Sequence, residues 1–95
     1  MLRKITISNK LGLHARAASK LVQLTNKFNS TISICKGNLR IDGKSILGIL
    51  SLAASINSEV TIEAVGSDEI EAIDEIEKLF NDKFGEPSWV KKKEV

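Results

Sequence analysis

The sequence predicts an α+β domain in which helices cover one face of a four-stranded, mainly antiparallel sheet. Short segments of the 95-residue chain alternate apolar and polar residues, and two longer segments repeat apolar residues every three to four positions. The two kinds of segment are interleaved, which favours a sheet packed against helices. The predicted order is β-α-β-β-α-β-α, an open-faced β-sandwich.

The first half of the chain contains a strand, a helix and a hairpin. The segment LRKITIS alternates, and we expect Leu2, Ile5 and Ile7 to point inward. Residues 15–28 show helical spacing, and their alanines favour a helix. The segments STISICK and LRID then form a hairpin around a Gly-Asn turn.

The second half adds a short helix, a strand and a long helix. Ser45 suits the N-cap of a short helix in SILGILSLAAS, although the apolar run also fits a buried strand. EVTIEAV is the fourth strand. EIEAIDEIEKLFNDKF is an amphipathic helix with an acidic first turn. We expect its apolar stripe to comprise Ile70, Ile73, Ile76, Leu79 and Phe80, and Gly85 and Pro87 to end it.

Length and composition predict one small domain at residues 1–85 and a flexible tail at residues 86–95. The net charge of +2 is too small for a nucleic-acid-binding protein, and no segment is long and apolar enough for membrane insertion. Cys35 is the only cysteine, which excludes an internal disulfide and favours a cytoplasmic protein. We expect a monomer without metal or cofactor, since one histidine and one cysteine argue against zinc.

The only histidine, His14, lies in LGLHARAAS, where the first helix is predicted to begin. As an N-cap it would adjoin backbone N–H groups that lack intrahelical partners and attract anions. A neutral imidazole is a nucleophile, and a guanidinium matches phosphate oxygens. The residues therefore indicate a phosphate-handling histidine or, as the alternative, a histidine that only caps the helix. The expected phosphate-binding residues are Gly12, Ala15, Arg16 and Ala17.

Three separated motifs resemble the HPr family, the histidine phosphocarriers of the bacterial phosphoenolpyruvate-dependent phosphotransferase system. They are GLHARAAS, DGKSILGILSLAAS and EVTIEAVGSDEIEAI, and the likeness extends from Leu2 to Phe84 in family order. The resemblance implies that enzyme I phosphorylates His14 on Nδ1 and that a IIA component receives the phosphoryl group. It also implies that Arg16 steadies the transferred group.

The same resemblance implies a second functional region. Ser45 matches a serine that an HPr kinase/phosphorylase modifies in some members, although serine is also an ordinary N-cap. A partner-binding patch is implied at Ile46, Leu47 and Leu50, and Ser19 and Gln23 are expected to border it, whereas Ile49 and Leu52 are expected to be core. Ala17 departs from the proline of most members, which adds one N–H donor and removes some rigidity.

The resemblance leaves open whether the carrier serves sugar uptake or nitrogen-type regulation. It would be a phosphoryl-transfer component that turns over no substrate alone. One alternative is a non-catalytic regulatory binding module controlled by Ser45 phosphorylation, which the presence of His14 disfavours. Another is a small phosphatase of acylphosphatase type, which would hydrolyse acyl phosphates unaided.

Overall fold

The structure, a computed structural model, describes residues 1–86 and has the predicted order of elements. The strands are β1 (Leu2–Thr6), β2 (Thr31–Lys36), β3 (Leu39–Asp42) and β4 (Glu59–Val65). The helices are α1 (Ala15–Thr25), α2 (Ile46–Ser51) and α3 (Glu69–Asn81), followed by a 3₁₀ turn at Lys83–Gly85. Apart from Glu86, the expected tail at residues 86–95 lies outside the described residues.

The four strands form one antiparallel sheet in the order β1-β4-β2-β3. Ile5 pairs with Val60, and Ile34 pairs with Ile41 on one side and Ile62 on the other, so branched side chains meet on one face. The helices pack on this face and leave the other to solvent, which confirms the predicted open-faced β-sandwich. Between the layers lie Ala17, Ala18 and Leu21 of α1, and Ala72, Ile73, Ile76 and Phe80 of α3.

The prediction that Leu2 and Ile70 point inward is wrong, because these side chains are 64% and 60% exposed. Leu2 is an odd number of residues from Ile5, so the two side chains lie on opposite faces of the strand. The buried side of α3 is centred between Ile73 and Ile76, and a rotation of about 100° per residue carries Ile70 past its edge.

Helix α1 ends at Thr25, earlier than the predicted end at Phe28. The hydroxyl of Thr25 donates to the carbonyl of Gly43 at 2.8 Å, and Asn26 Nδ2 donates to the carbonyl of Val22 at 2.9 Å. Beyond Thr25 the N–H groups of Lys27 and Phe28 donate to carbonyls three residues back rather than four, so the α-helical pattern ends there. Phe28 therefore lies beyond the helix, partly buried against the core.

The segment after β3 is a helix rather than a strand, which decides between the two predicted alternatives. The backbone of Ser45 is extended, and its Oγ accepts the N–H of Gly48 at 3.1 Å. Ile49 is completely buried and Leu52 nearly so, which confirms both as core residues. Cys35 is a free, half-buried residue of β2. Within residues 1–86, no helix has the length and apolar character needed to cross a membrane.

Asp68 joins the start of α3 to the start of β2. Its carboxylate accepts the N–H groups of Asn29 and Ser30 at 2.8 and 2.9 Å, and it also accepts the Ser30 hydroxyl. The Ser30 hydroxyl first, and then these amides, hold the pKa of Asp68 below its ordinary value. The ionised carboxylate is therefore part of the folded structure.

We expect Asp68→Asn to remove an acid-sensitive part of the stability. Because the folded-state pKa lies below the ordinary value of 3.8, the ionised carboxylate stabilises the fold fully above that pH. This stabilisation is lost as the pH falls through the lowered folded-state pKa. Urea titrations at about pH 6 and about pH 3 should show a smaller loss of unfolding free energy in the variant than in wild type.

Asp82→Asn is the matched control, since Asp82 is a carboxylate near the other end of α3 whose side chain accepts no hydrogen bond within residues 1–86. This variant should follow wild type at both pH values. Equal losses in wild type and Asp68→Asn would contradict the assignment.

Candidate functional site

His14 is the N-cap of α1, as the sequence predicts. Its backbone is extended, with φ −81° and ψ 179°, and its Nδ1 accepts the N–H of Arg16 at 3.3 Å. A ring nitrogen that accepts a hydrogen bond has a lone pair, so the neutral ring holds its proton on Nε2. The imidazole is half-buried. The fold therefore directs the Nδ1 lone pair to the start of the helix.

The N-terminus of α1 carries uncompensated positive charge. The first helical bond runs from the N–H of Ala18 to the carbonyl of His14 at 2.8 Å. The N–H groups of Ala15, Arg16 and Ala17 therefore have no acceptor within the helix. The first turn of α1 contains no acidic residue, whereas that of α3 contains two glutamates. Because the dipole of α1 is not neutralised by its own side chains, its N-terminus can bind an external anion.

Arg16 and Ala17 take different positions at this helix end. The side chain of Arg16 is exposed and forms no hydrogen bond or ion pair within residues 1–86. Its guanidinium is free to pair with an anion bound at the N-terminus. Ala17 is completely buried, so its methyl group anchors the first turn to the core while its N–H adds a donor that proline would lack.

Gly12 allows two loops to pack closely beside the site. Its φ is +67°, and a Cβ there would lie 2.6 Å from the carbonyl oxygen of Ala54 and 2.9 Å from the Cα of Ser55. The next residue, Leu13, donates its N–H to the same Ala54 carbonyl at 2.9 Å. The N–H of Gly12, a residue expected to bind phosphate, donates to the carbonyl of Asn9 at 3.2 Å. Gly12 therefore contributes backbone shape rather than a free donor.

Two residues beside this site, Asn9 and Glu86, were not expected from the sequence. Asn9 is completely buried, and its Nδ2 donates to the carbonyl of Gly12 at 2.8 Å and to the Glu86 carboxylate at 3.0 Å. The same carboxylate accepts the N–H groups of Lys10 and Leu11 at 3.1 and 3.3 Å. An asparagine in a polar loop and a glutamate after an acidic helix have no distinguishing pattern, so no sequence signal could have paired them.

The exposed apolar residues of α2 form the surface where partner binding was predicted. Leu47 is 80% exposed, and Ile46 and Leu50 are exposed to a smaller degree. On α1, Ser19 is half-buried and Gln23 is exposed. We call the three apolar residues Ile46, Leu47 and Leu50 the α2 patch.

On the two loops that meet at Gly12, the sequence interpretation missed the exposed apolar residues Leu11 and Ile56. Leu11 lies beside Gly12, and Ile56 follows the segment of Ala54 that Gly12 approaches. Exposed apolar side chains on two touching loops extend the surface available to a partner. A single leucine or isoleucine in a loop is too common in sequences to have indicated this.

We expect Gly12→Ala to destabilise the fold more than Gly37→Ala, a matched control at a similar φ of +59°. A Cβ on Gly37 meets no atom of the described residues within 4 Å, so this variant should lose about 1 kcal/mol of unfolding free energy from backbone strain alone. Gly12→Ala should lose about 1 to 3 kcal/mol more, because its Cβ meets backbone atoms. Urea denaturation measures both, and equal losses would show that the contact with Ala54 is not restrictive.

Comparison with known proteins gives a family that agrees with this geometry. A family model described as the PTS HPr component phosphorylation site matches residues 1–82. The phosphocarrier protein HPr of Cupriavidus necator is 49% identical over 84 residues, which cover 88% of this chain and 94% of that protein. The phosphocarrier protein NPr of Shewanella violacea is 42% identical over 86 residues, covering 90% and 94%.

The fold agrees equally well with solved structures. The crystal structure of HPr-C-His from Thermoanaerobacter tengcongensis superposes with a TM-score of 0.88 and 45% sequence identity, covering 92% of this chain and 98% of that one. Sequence and structure thus match over nearly all the described residues. The chain therefore belongs to the HPr family, the phosphocarrier proteins of the phosphotransferase system.

Proposed function

We propose that this chain carries a phosphoryl group on His14, which it receives from phosphorylated enzyme I and passes to a IIA component. The observation that carries the proposal is the hydrogen bond from the Arg16 N–H to His14 Nδ1 at the N-terminus of α1. It places a nucleophilic lone pair and anion-binding donors at one point. The family membership supports phosphoryl transfer as the chemistry.

The transfer is an exchange of one bond to phosphorus for another. The lone pair of His14 Nδ1 attacks the phosphorus atom, the Nδ1–P bond forms, and the bond from phosphorus to the donor breaks. Because the ring proton is on Nε2, His14 has no proton to release. Onward transfer to the IIA component reverses these steps, with the acceptor as the nucleophile.

The helix end stabilises the charge that arrives with the phosphoryl group. As Nδ1 becomes bonded to phosphorus, the Arg16 N–H leaves the ring and donates to a phosphoryl oxygen, together with the N–H groups of Ala15 and Ala17. The Arg16 guanidinium pairs with the remaining negative charge. The first turn of α1 fixes all three N–H groups before transfer, so only the Arg16 N–H has to exchange its acceptor.

The α2 patch is the proposed docking surface for both partners. A hydrophobic surface of this kind is typical of an interaction site. The segment after α2 touches the loop before His14, since the N–H of Leu13 donates to the carbonyl of Ala54. This contact supports a common surface for docking and chemistry, bordered by Ser19 and Gln23.

Regulation at Ser45 by an HPr kinase/phosphorylase stays a prediction. Ser45 is half-buried, and its Oγ accepts the N–H of Gly48. A phosphate there would add negative charge next to the α2 patch.

We also propose that the protein is a cytoplasmic monomer. Similar relatives include both an HPr and an NPr, so the proposal covers sugar uptake and nitrogen-type regulation alike.

The test is the intact mass of the protein after incubation with phosphoenolpyruvate and enzyme I from the same organism. We expect one added phosphoryl group that is labile in acid, and no addition to His14→Ala. An unmodified wild-type protein beside an active enzyme I would refute the carrier function and favour the regulatory binding module. Hydrolysis of an acyl phosphate without enzyme I would instead indicate the phosphatase.

A further inference from the structure

We propose that Glu86 is a positioning residue for His14. Its carboxylate clamps residues 9–12, the loop that leads to the imidazole, and so holds the ring at the N-terminus of α1. We call this segment the 9–12 loop. The inference rests on the proposed function and adds a residue from the far end of the described chain to the phosphoryl-transfer site.

The contacts of Glu86 reach the whole 9–12 loop. Its Oε1 accepts the N–H of Lys10 at 3.1 Å, and its Oε2 accepts the N–H of Leu11 at 3.3 Å and Asn9 Nδ2 at 3.0 Å. The other Nδ2 hydrogen of Asn9 is donated to the carbonyl of Gly12 at 2.8 Å. Every residue of the loop is thus bound to the carboxylate directly or through Asn9. Hydrogen bonds to an ionised carboxylate are stronger than neutral ones.

The hydrogen bonds of Asn9 Nδ2 leave the other polar atom of the same side chain, Oδ1, without a partner in the described part of the chain. Asn9 Oδ1 is buried and has no hydrogen-bond partner within the described residues. An unpaired buried acceptor destabilises a fold. Asn9 is therefore oriented by what its Nδ2 binds, which is the loop backbone on one side and Glu86 on the other.

The three residues between α3 and Glu86 that have positive φ turn the chain so that Glu86 reaches the 9–12 loop. Lys83 and Phe84 both have φ of +56°, and Gly85 has φ of +66°. This left-handed conformation is unfavourable for the two residues that carry a Cβ. It is held because the Phe84 ring is buried with its centroid 4.8 Å from that of Phe80, and because Lys20 Nζ donates to the Phe84 carbonyl at 2.7 Å. Strain retained beside a functional site is a reason to look for a role.

The charge of the clamp is maintained by its surroundings. Partial desolvation raises the pKa of Glu86, but the hydrogen bonds from Asn9, Leu11 and Lys10, with the attraction of His14, outweigh it. The pKa of Glu86 therefore lies below its ordinary value. The carboxylate is ionised at neutral pH, so all its hydrogen bonds to the loop are charge-assisted.

The experiment compares Glu86→Ala and Glu86→Gln with wild type in the full chain. Amide hydrogen exchange at Lys10 and Leu11, followed by NMR, should become about tenfold faster in Glu86→Ala, because both N–H groups lose their acceptor.

The second measurement is the rate at which phosphorylated enzyme I transfers its phosphoryl group to the protein. The kcat of this transfer should fall about tenfold in Glu86→Ala, because the imidazole is misplaced. The KM should stay within about twofold, because the α2 patch is unchanged. Glu86→Gln keeps one acceptor oxygen and should fall between wild type and Glu86→Ala.

Glu71→Ala is the matched control, since Glu71 is an exposed α3 glutamate whose side chain has no partner among the described residues. It should match wild type in every measurement. Unchanged exchange in Glu86→Ala, an unchanged kcat, or an equal loss in Glu71→Ala would overturn the proposal. If wild type accepts no phosphoryl group, the proposed function fails instead, and the exchange rates alone still decide whether the clamp exists.

Discussion

The hydrogen bond from the Arg16 N–H to His14 Nδ1 is the interaction on which the rest of the site depends. It exists because the first turn of any α-helix has N–H groups without intrahelical acceptors, and here the N-cap side chain takes one of them. The same bond fixes the ring tautomer and aims the lone pair at the remaining donors. The site stays in place because Ala17 and Ala18 are completely buried between α1 and the sheet. The N–H groups that every helix leaves unpaired at its N-terminus therefore do two things here: one orients the His14 ring, and the others can bind an anion.

Two distant segments, at Ala54 and at Glu86, hold this helix start in position. Gly12 lets the loop before His14 approach Ala54, and Leu13 binds the carbonyl of that residue. Glu86 arrives through a strained turn after α3 and binds the 9–12 loop from the other side. The histidine is therefore positioned by loops at both flanks and by the core beneath it. Such support is what keeps a reacting atom within a fraction of an ångström of its required place.

The features that the sequence predicted are those that depend on neighbouring residues. Strand alternation, helical spacing and the N-caps His14 and Ser45 are local, and the structure has all of them. Leu2 and Ile70 were misassigned because their apolar side chains were given more weight than the period of their elements, which places Leu2 opposite Ile5 and carries Ile70 past the buried side of α3. The contact between Asn9 and Glu86 could not be predicted from the sequence, because it joins two residues that are 77 positions apart and meet only after folding.

The most direct measurement is a long-range ¹H–¹⁵N correlation spectrum of the His14 ring in its neutral form. We expect Nδ1 to resonate as the unprotonated, hydrogen-bond-accepting nitrogen and Nε2 as the protonated one. After phosphorylation by enzyme I, the phosphorus should be coupled to Nδ1. A proton on Nδ1 in the free protein, or phosphorus on Nε2, would contradict the claim that the start of α1 selects the reacting atom.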